Sequence, residues 1–277
     1  MSVVALVALA LVLSGPVPRL MARRVRFRRS PRAALVVWQA VSGGAVLAAL
    51  AAAALVPVQQ RAAWLVLPAL MLGGLVLGRL LLCCHRVGTR LRAARRTHRE
   101  LVDVLAVAAP DTLRVIAHPT PTAYCLPGLR RRLVLSQGLL DALPRDQLTA
   151  VVTHERTHLR ARHDLVLEFF TVLHHAGPSW WRCPAAMAEV RLLVEVLADQ
   201  AAVRAVGATP TARALVALAH SHAPDAALAA GGSTARARLE LLSQAAQARP
   251  VLTGSMYLFA AVVLATPPAL FVAGIPG

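Results

Sequence analysis

Four stretches of this chain are each apolar for long enough to cross a lipid bilayer, and no other feature constrains its fold as strongly. A spanning helix needs about 20 mostly apolar residues. Such runs occupy residues 1–18, 33–58 and 62–84, with a fourth from Val251 to Ile275 inside residues 250–277. The first is the shortest and ends at Pro16 and Pro18. Arg79 falls near the end of the third, where a long side chain can reach the headgroups. With 57% hydrophobic residues, the 277-residue chain is also too apolar for a soluble enzyme of its size. The expected fold class is an α-helical membrane protein with four transmembrane helices. Residues 85–249, of mixed polarity, form a domain between the third and fourth spans.

Arginine sets the expected orientation. The chain carries a formal charge of +17 and no lysine, so all 30 basic residues are arginine. A cleaved signal peptide has its positive charge before the apolar run. Here Arg19, Arg23, Arg24, Arg26, Arg28, Arg29 and Arg32 follow it, the order of a retained helix with its N-terminus outside. The link Gln59-Gln60-Arg61 then lies outside, and the third span returns the chain to Arg86, Arg90, Arg92, Arg95, Arg96 and Arg99. Arg249 flanks the fourth span on the same side. The middle domain is therefore expected in the cytoplasm of a plasma-membrane protein of bacterial type, with both termini outside. Because much of the charge borders apolar runs rather than lining a folded face, no direct nucleic-acid partner is expected. Cys83, Cys84, Cys125 and Cys183 form no CxxC pair and read as free thiols.

Within the middle domain, residues 86–107 read as a basic helix, and Leu113–His118 and Arg132–Ser136 as short strands with Thr122–Leu126 between them. A helix begins after Pro144, with Asp146 in its first turn and Leu148, Val151, Val152 and Leu159 at helical spacing. Leu165–Leu173 is apolar but too short to span, and Gly177-Pro178 ends it. A further helix covers Ala185–Val206 with Gly207 as its C-cap, and Thr209-Pro210 reads as the start of the next.

The string that carries chemistry is His154-Glu155-Arg156-Thr157-His158, inside the helix after Pro144. Histidines at i and i+4 share a helix face, so two imidazoles can reach one metal ion, and the adjacent Glu155 can act as a base toward water. A hydrolytic zinc site needs a third protein ligand. Glu195, in Glu195-Val-Leu-Ala-Asp199, is the leading candidate, because two carboxylates at i, i+4 in so apolar a helix are costly unless something binds them. One can ligate while Asp199 orients a ligand histidine. Glu189, Glu168 and His163 are the alternatives, with His163 expected beyond the site on the same helix. His174-His175 reads as capping or surface, and His118, His220 and His222 lack partner spacing.

Three stretches together resemble a known family: Ala123-Tyr-Cys-Leu-Pro-Gly128 with Leu133-Val-Leu-Ser-Gln-Gly-Leu-Leu140, then Val151 to Asp164, then Glu195 to Asp199. The chain is similar to the membrane zinc metallopeptidases of the beta-lactam sensor-transducer type, peptidase family M56. More distantly it resembles the CAAX-prenyl and heat-shock membrane proteases of family M48. The resemblance implies a mainly α (α+β) cytoplasmic metallopeptidase domain of the gluzincin type carrying a small antiparallel sheet. It implies zinc on His154, His158 and Glu195, Glu155 as the catalytic base, and Asp199 behind the ligands. The strand at Tyr124, Cys125 and Leu126 would receive a protein or peptide substrate by strand addition. It also suggests a cytoplasmic transcriptional repressor as that substrate, within a signalling pathway. Sensor-transducers continue after their last span into an extracellular penicillin-binding domain, which this sequence, ending at Gly277, does not contain, so direct antibiotic sensing is not expected. The alternatives are a quality-control protease of membrane proteins and a non-catalytic membrane signalling protein.

Overall fold

The computed structural model describes residues 1–60, 62–108, 112–221, 228–242 and 249–275; Arg61, His222 and Gly277 lie outside the described residues. In chain order the elements are α1 (Ser2–Ser14), α2 (Pro16–Ala22), α3 (Pro31–Gln59), α4 (Ala63–Leu105), β1 (Ala106–Ala108), β2 (Leu113–Ile116), β3 (Ala123–Leu126), β4 (Arg132–Ser136) and α5 (Gln137–Ala142). They continue with α6 (Arg145–Arg160), α7 (His163–Ala176), α8 (Pro184–Val206), α9 (Ala208–Ser221), α10 (Leu228–Leu242) and α11 (Pro250–Ala273). Among the described residues, four helical stretches are long and apolar enough to span a bilayer: Ser2–Ala22, Pro31–Gln59, Ala63–Leu105 and Pro250–Ala273. They fit a membrane protein.

The chain divides into two compact units, the first made of Met1–Val87, Phe169–Val190 and Ala248–Gly277. The first apolar run, expected as one segment ending at residue 18, is broken after Ser14. Pro16 has no N–H to continue the helical ladder, and a short second helix runs on to Ala22. Leu6 of α1 is buried with Ala48, Ala52 and Leu55 of α3, and Leu270 and Phe271 of α11 pack against them. Gly44 lets these helices approach, because a Cβ there would press on Val263 and Leu13. The Arg28 guanidinium grips the buried Glu189 carboxylate through two N–H groups at 2.8 and 2.9 Å, the fork geometry that holds arginine–carboxylate pairs most firmly. The third apolar run and the basic helix expected after it are one continuous helix. No proline falls between Cys84 and Leu105, and the single glycine there, Gly88, weakens the helix without stopping it, so α4 runs for 43 residues.

The second unit comprises Gly88–Glu168 and Arg191–Gln247. Its sheet has the order β1-β2-β4-β3 and is mixed, where an antiparallel sheet was expected. Short turns reverse the chain between β2, β3 and β4, but β4 inserts between the other two. It therefore runs antiparallel to β3 and parallel to β2. That insertion leaves β3 at the sheet edge. Leu133 and Leu135 of β4 pack with Leu139, Leu143, Val151, Ala202 and Ala214 in one core, so the sheet supports α6. Ser136 closes the end of β4. Its hydroxyl accepts the N–H of Thr122 (2.9 Å) and of Leu139 (3.1 Å) and donates to Thr120 O (2.8 Å), capping α5. α9 starts at Ala208, ahead of the expected Thr209-Pro210 boundary, directly after Gly207 turns the chain at φ +91°.

At the first turn of α5 the Gly138 N–H donates to His118 O at 3.0 Å, and a Cβ at this position would collide with the Pro119 carbonyl. Gly138→Ala is expected to destabilise the chain by about 1–3 kcal/mol through this overpacking, read as a lowered thermal midpoint in detergent.

Candidate metal centre

The second unit gathers two histidines and two carboxylates from α6 and α8. α6 presents His154 and His158 one turn apart on one face, with their Nε2 atoms 3.0 Å from each other. α8 presents Glu195 and Asp199 in the same way. Its neighbours Leu193, Val194, Val196 and Ala198 are buried, which fixes the helix rotation and turns the two carboxylates toward α6. Glu195 Oε2 lies 3.3 Å from His154 Nε2, and its Oε1 lies 3.6 Å from His158 Nε2. One ligand atom from each of the three residues falls within 4.8 Å of the others.

These separations fit a metal. Zinc bonds of about 2.0–2.1 Å in a tetrahedral arrangement put neighbouring ligand atoms about 3.3 Å apart. Two imidazoles and a carboxylate are also a donor set that zinc accepts. Behind the ligands, Asp199 Oδ1 lies 2.9 Å from His154 Nδ1, the position from which a carboxylate fixes the ring's tautomer and leaves Nε2 to face the centre.

Arg238, on α10, completes the cluster and was not anticipated. Its Nε and Nη2 donate to the Asp199 carboxylate at 2.7 and 2.6 Å, and its Nη1 lies 3.2 Å from Glu195 Oε2. Nothing local in the sequence marks it, since the partners lie 39 residues apart and α10 carries the similar Arg236 two positions earlier. One signal was available. Two carboxylates on an apolar helix demand a cation as well as a ligand role.

The electrostatics follow from this pairing. Burial works against charge on His154, yet hydrogen bonds to Asp199 and Glu195 outweigh it and push the imidazole up to about 9. His158 has no such anchor, and burial takes it down to about 4. Burial opposes ionisation of Glu195, but the bond to His154 and the charge of Arg238 bring it down to about 2. Asp199 is likewise held below its ordinary range against burial, chiefly by Arg238. Glu155 moves the other way. Burial raises its carboxyl, which also hydrogen-bonds the Cys125 thiol on β3.

The other candidates have other partners. Glu189 is held by Arg28, and Glu168 lies 3.9 Å from Arg95. His163 is not on the same helix as the HExxH string. α6 stops at Arg160, the chain turns at Arg162 with φ +53°, and His163 opens α7 with its Nδ1 3.0 Å from His158 Nδ1. His175 Nδ1 lies 2.8 Å from Thr171 O. Tyr124, Cys125 and Leu126 form the edge strand β3, which packs against α6. A cleft of about 480 Å³ opens over the cluster, lined by His154, Glu155, Glu195 and Arg238 together with the apolar Leu215 and Leu218.

The comparisons with known proteins point the same way. The plastoglobule-localized metallopeptidase 48, chloroplastic, of Arabidopsis thaliana is 32% identical over 113 residues, covering 37% of this chain. The match spans about a third (33%) of that relative's length. No solved structure matches the chain. The family model described as peptidase family M48, whose metallopeptidases depend on a metal that is typically zinc, matches residues 90–268. That is the more distant of the two families named from the motifs, and its match runs through every residue of the cluster: the chain belongs to peptidase family M48.

Proposed function

We propose that the chain is a membrane-embedded zinc-dependent endopeptidase of the gluzincin type, acting on a protein or peptide at the cytoplasmic face. The observation that carries this reading is the convergence of His154 Nε2, His158 Nε2 and a Glu195 oxygen within 4.8 Å, beside Glu155. His154, His158 and Glu195 would hold the ion. When bound, zinc supplies Lewis acidity that polarises the scissile carbonyl and makes water a competent nucleophile near neutral pH.

The remaining steps belong to the chain's own residues. Glu155 takes the proton of the attacking water and passes it to the leaving amine, and its burial-raised carboxyl brings its affinity for that proton nearer the working pH. Asp199 and Arg238 fix His154. Main-chain groups of Tyr124, Cys125 and Leu126 on the open edge of β3 would align an extended peptide by strand addition.

The four apolar helices support an enzyme held in the plasma membrane, and the arginine-rich flanks support residues 85–249 on its cytoplasmic side. The substrate reading implied by the M56 resemblance is a cytoplasmic repressor in a signalling pathway. Membership of M48 favours the second reading, broad cleavage of damaged membrane proteins, as in the heat-shock proteases.

Zinc removal tests the catalytic claim. Full-length protein in detergent should bind one zinc per chain, lose cleavage of an unfolded protein substrate on chelation, and regain it on zinc addition. Cleavage that survives complete zinc removal refutes the proposal. Affinity should also depend on pH. The metal-free site holds a proton on His154 up to about pH 9, and zinc must displace it. Apparent zinc affinity should therefore rise between pH 7 and 9 and flatten above.

A further inference from the structure

His163 is almost fully buried, with 3% of its surface exposed, and the chemistry above leaves it without a task. It occupies an unusual place. α6 ends at Arg160, and Arg162 adopts the left-handed conformation, the only non-glycine residue to do so among the described residues. An arginine gains nothing from that conformation on its own. The result is a reversal so tight that Leu165 N–H already bonds Arg162 O at 2.9 Å, and His163 is carried back against the end of α6. There the rings of His158 and His163 meet nearly edge to face, at 86° and 4.9 Å between centroids, with the two Nδ1 atoms 3.0 Å apart.

Only one assignment of that hydrogen bond suits a ligand. Were His163 to donate, His158 Nδ1 would accept, and the neutral ring would carry its proton on Nε2. That is the atom facing His154 and Glu195. If His158 donates from Nδ1 instead, its Nε2 keeps a free lone pair. The geometry around His154 leaves room for that lone pair, since His154 Nδ1 faces Asp199 and its Nε2 faces Glu195 and His158.

We propose that His163 is a positioning residue: it accepts the Nδ1–H of His158 and so holds His158 Nε2 deprotonated and aimed at the metal centre. The two ligand histidines are then oriented by different chemistry. His154 is backed by a carboxylate itself clamped by Arg238, and His158 by a neutral imidazole. A carboxylate at both positions would add negative charge to a buried site that already holds Glu195 and Asp199. An imidazole acceptor supplies the direction without the charge.

This inference rests on the zinc reading above, and its test separates the two. Zinc affinity of the full-length protein in detergent would be measured by competition with a chromophoric chelator for the wild type, His158→Ala, His163→Leu and His163→Asn. Asn offers an acceptor oxygen close to where Nδ1 sits, whereas Leu fills space without one. His163→Leu should weaken zinc binding about ten- to hundredfold, the usual effect of losing a partner behind a metal ligand, and His163→Asn should restore most of it. Nitrogen-15 shifts of labelled histidines in the zinc-free wild type should show His158 protonated at Nδ1, the tautomer that a solvated histidine side chain disfavours. Unchanged affinity in His163→Leu overturns the inference, as does His163→Asn binding as weakly as His163→Leu, or a wild-type His158 protonated at Nε2. If His158→Ala binds zinc like the wild type, it is the zinc site that fails instead. Should His163→Leu not fold, the wild-type tautomer and the Asn variant still decide.

Discussion

Glu155→Gln is expected to reduce peptide cleavage by about 10²–10⁴-fold while the purified variant keeps its zinc, because it removes a proton acceptor and almost nothing else. The amide matches the carboxylate in size. Its oxygen can still take the Cys125 thiol hydrogen bond, and Glu155 is not among the three residues whose ligand atoms converge. Zinc content and thermal midpoint should therefore stay near wild type while turnover collapses. Glu155→Ala tests the same group less cleanly, since it also opens space beside Cys125. The pH profile carries a second signature. Burial raises the Glu155 carboxyl above the ordinary glutamate range. The base is lost when it is protonated, so the acid limb of kcat/KM should fall at a higher pH than an exposed glutamate would give. A variant that cleaves at the wild-type rate would remove Glu155 from the mechanism and, with it, the reading of the HExxH string.

How much of this was legible in the sequence depends on how far apart the interacting residues lie. The α6 pair was readable because its geometry is local: four residues of helix put His154 and His158 on one face wherever that helix sits. Glu195 and Asp199 were readable one step less directly, from the cost of placing two carboxylates among Leu193, Val194, Val196 and Ala198. Arg238 was not readable, since its contact with Asp199 depends on how α10 folds back over α8. Nor was the break at Arg162, where a periodic pattern continues through a reversal that only a backbone angle reveals. The apolar runs were legible as four helices long enough to cross a bilayer. The continuity of α4 was missed because the composition changes sharply near Cys84 while helix propensity does not. The sheet followed the same rule. Its strands were visible as short β-rich runs, but the insertion of β4 between β2 and β3, which makes one pair parallel, is a tertiary choice.

Arg238→Met should cost the metal-free protein about 3–5 kcal/mol, the penalty of leaving buried carboxylates without their cation. The Arg238 side chain is 16% exposed and Asp199 only 3%, so water offers little relief. At about 2–4 °C per kcal/mol for a chain of this size, the thermal midpoint should fall by about 6–20 °C. Zinc makes the prediction specific. In the metal-free site the positive charges of Arg238 and His154 balance the negative charges of Glu195 and Asp199. Loading the site adds a dication and releases the His154 proton, a net gain of positive charge beside the stranded carboxylates. The loss caused by Arg238→Met should therefore be smaller with zinc than without it, a difference that lost packing alone would not produce. Arg238→Lys should fall between the two, since an ammonium keeps the charge but cannot donate through Nε and Nη2 together. Acid supplies the converse test. Arg238 depresses the folded-state pKa of Asp199, so the pair's contribution is complete above the ordinary aspartate pKa and is lost as pH falls from there through the depressed value. The wild type and Arg238→Met should accordingly converge in stability under strong acid. Equal destabilisation with and without zinc, persisting into acid, would make Arg238 a packing residue of α10 and no part of the charge balance that holds His154.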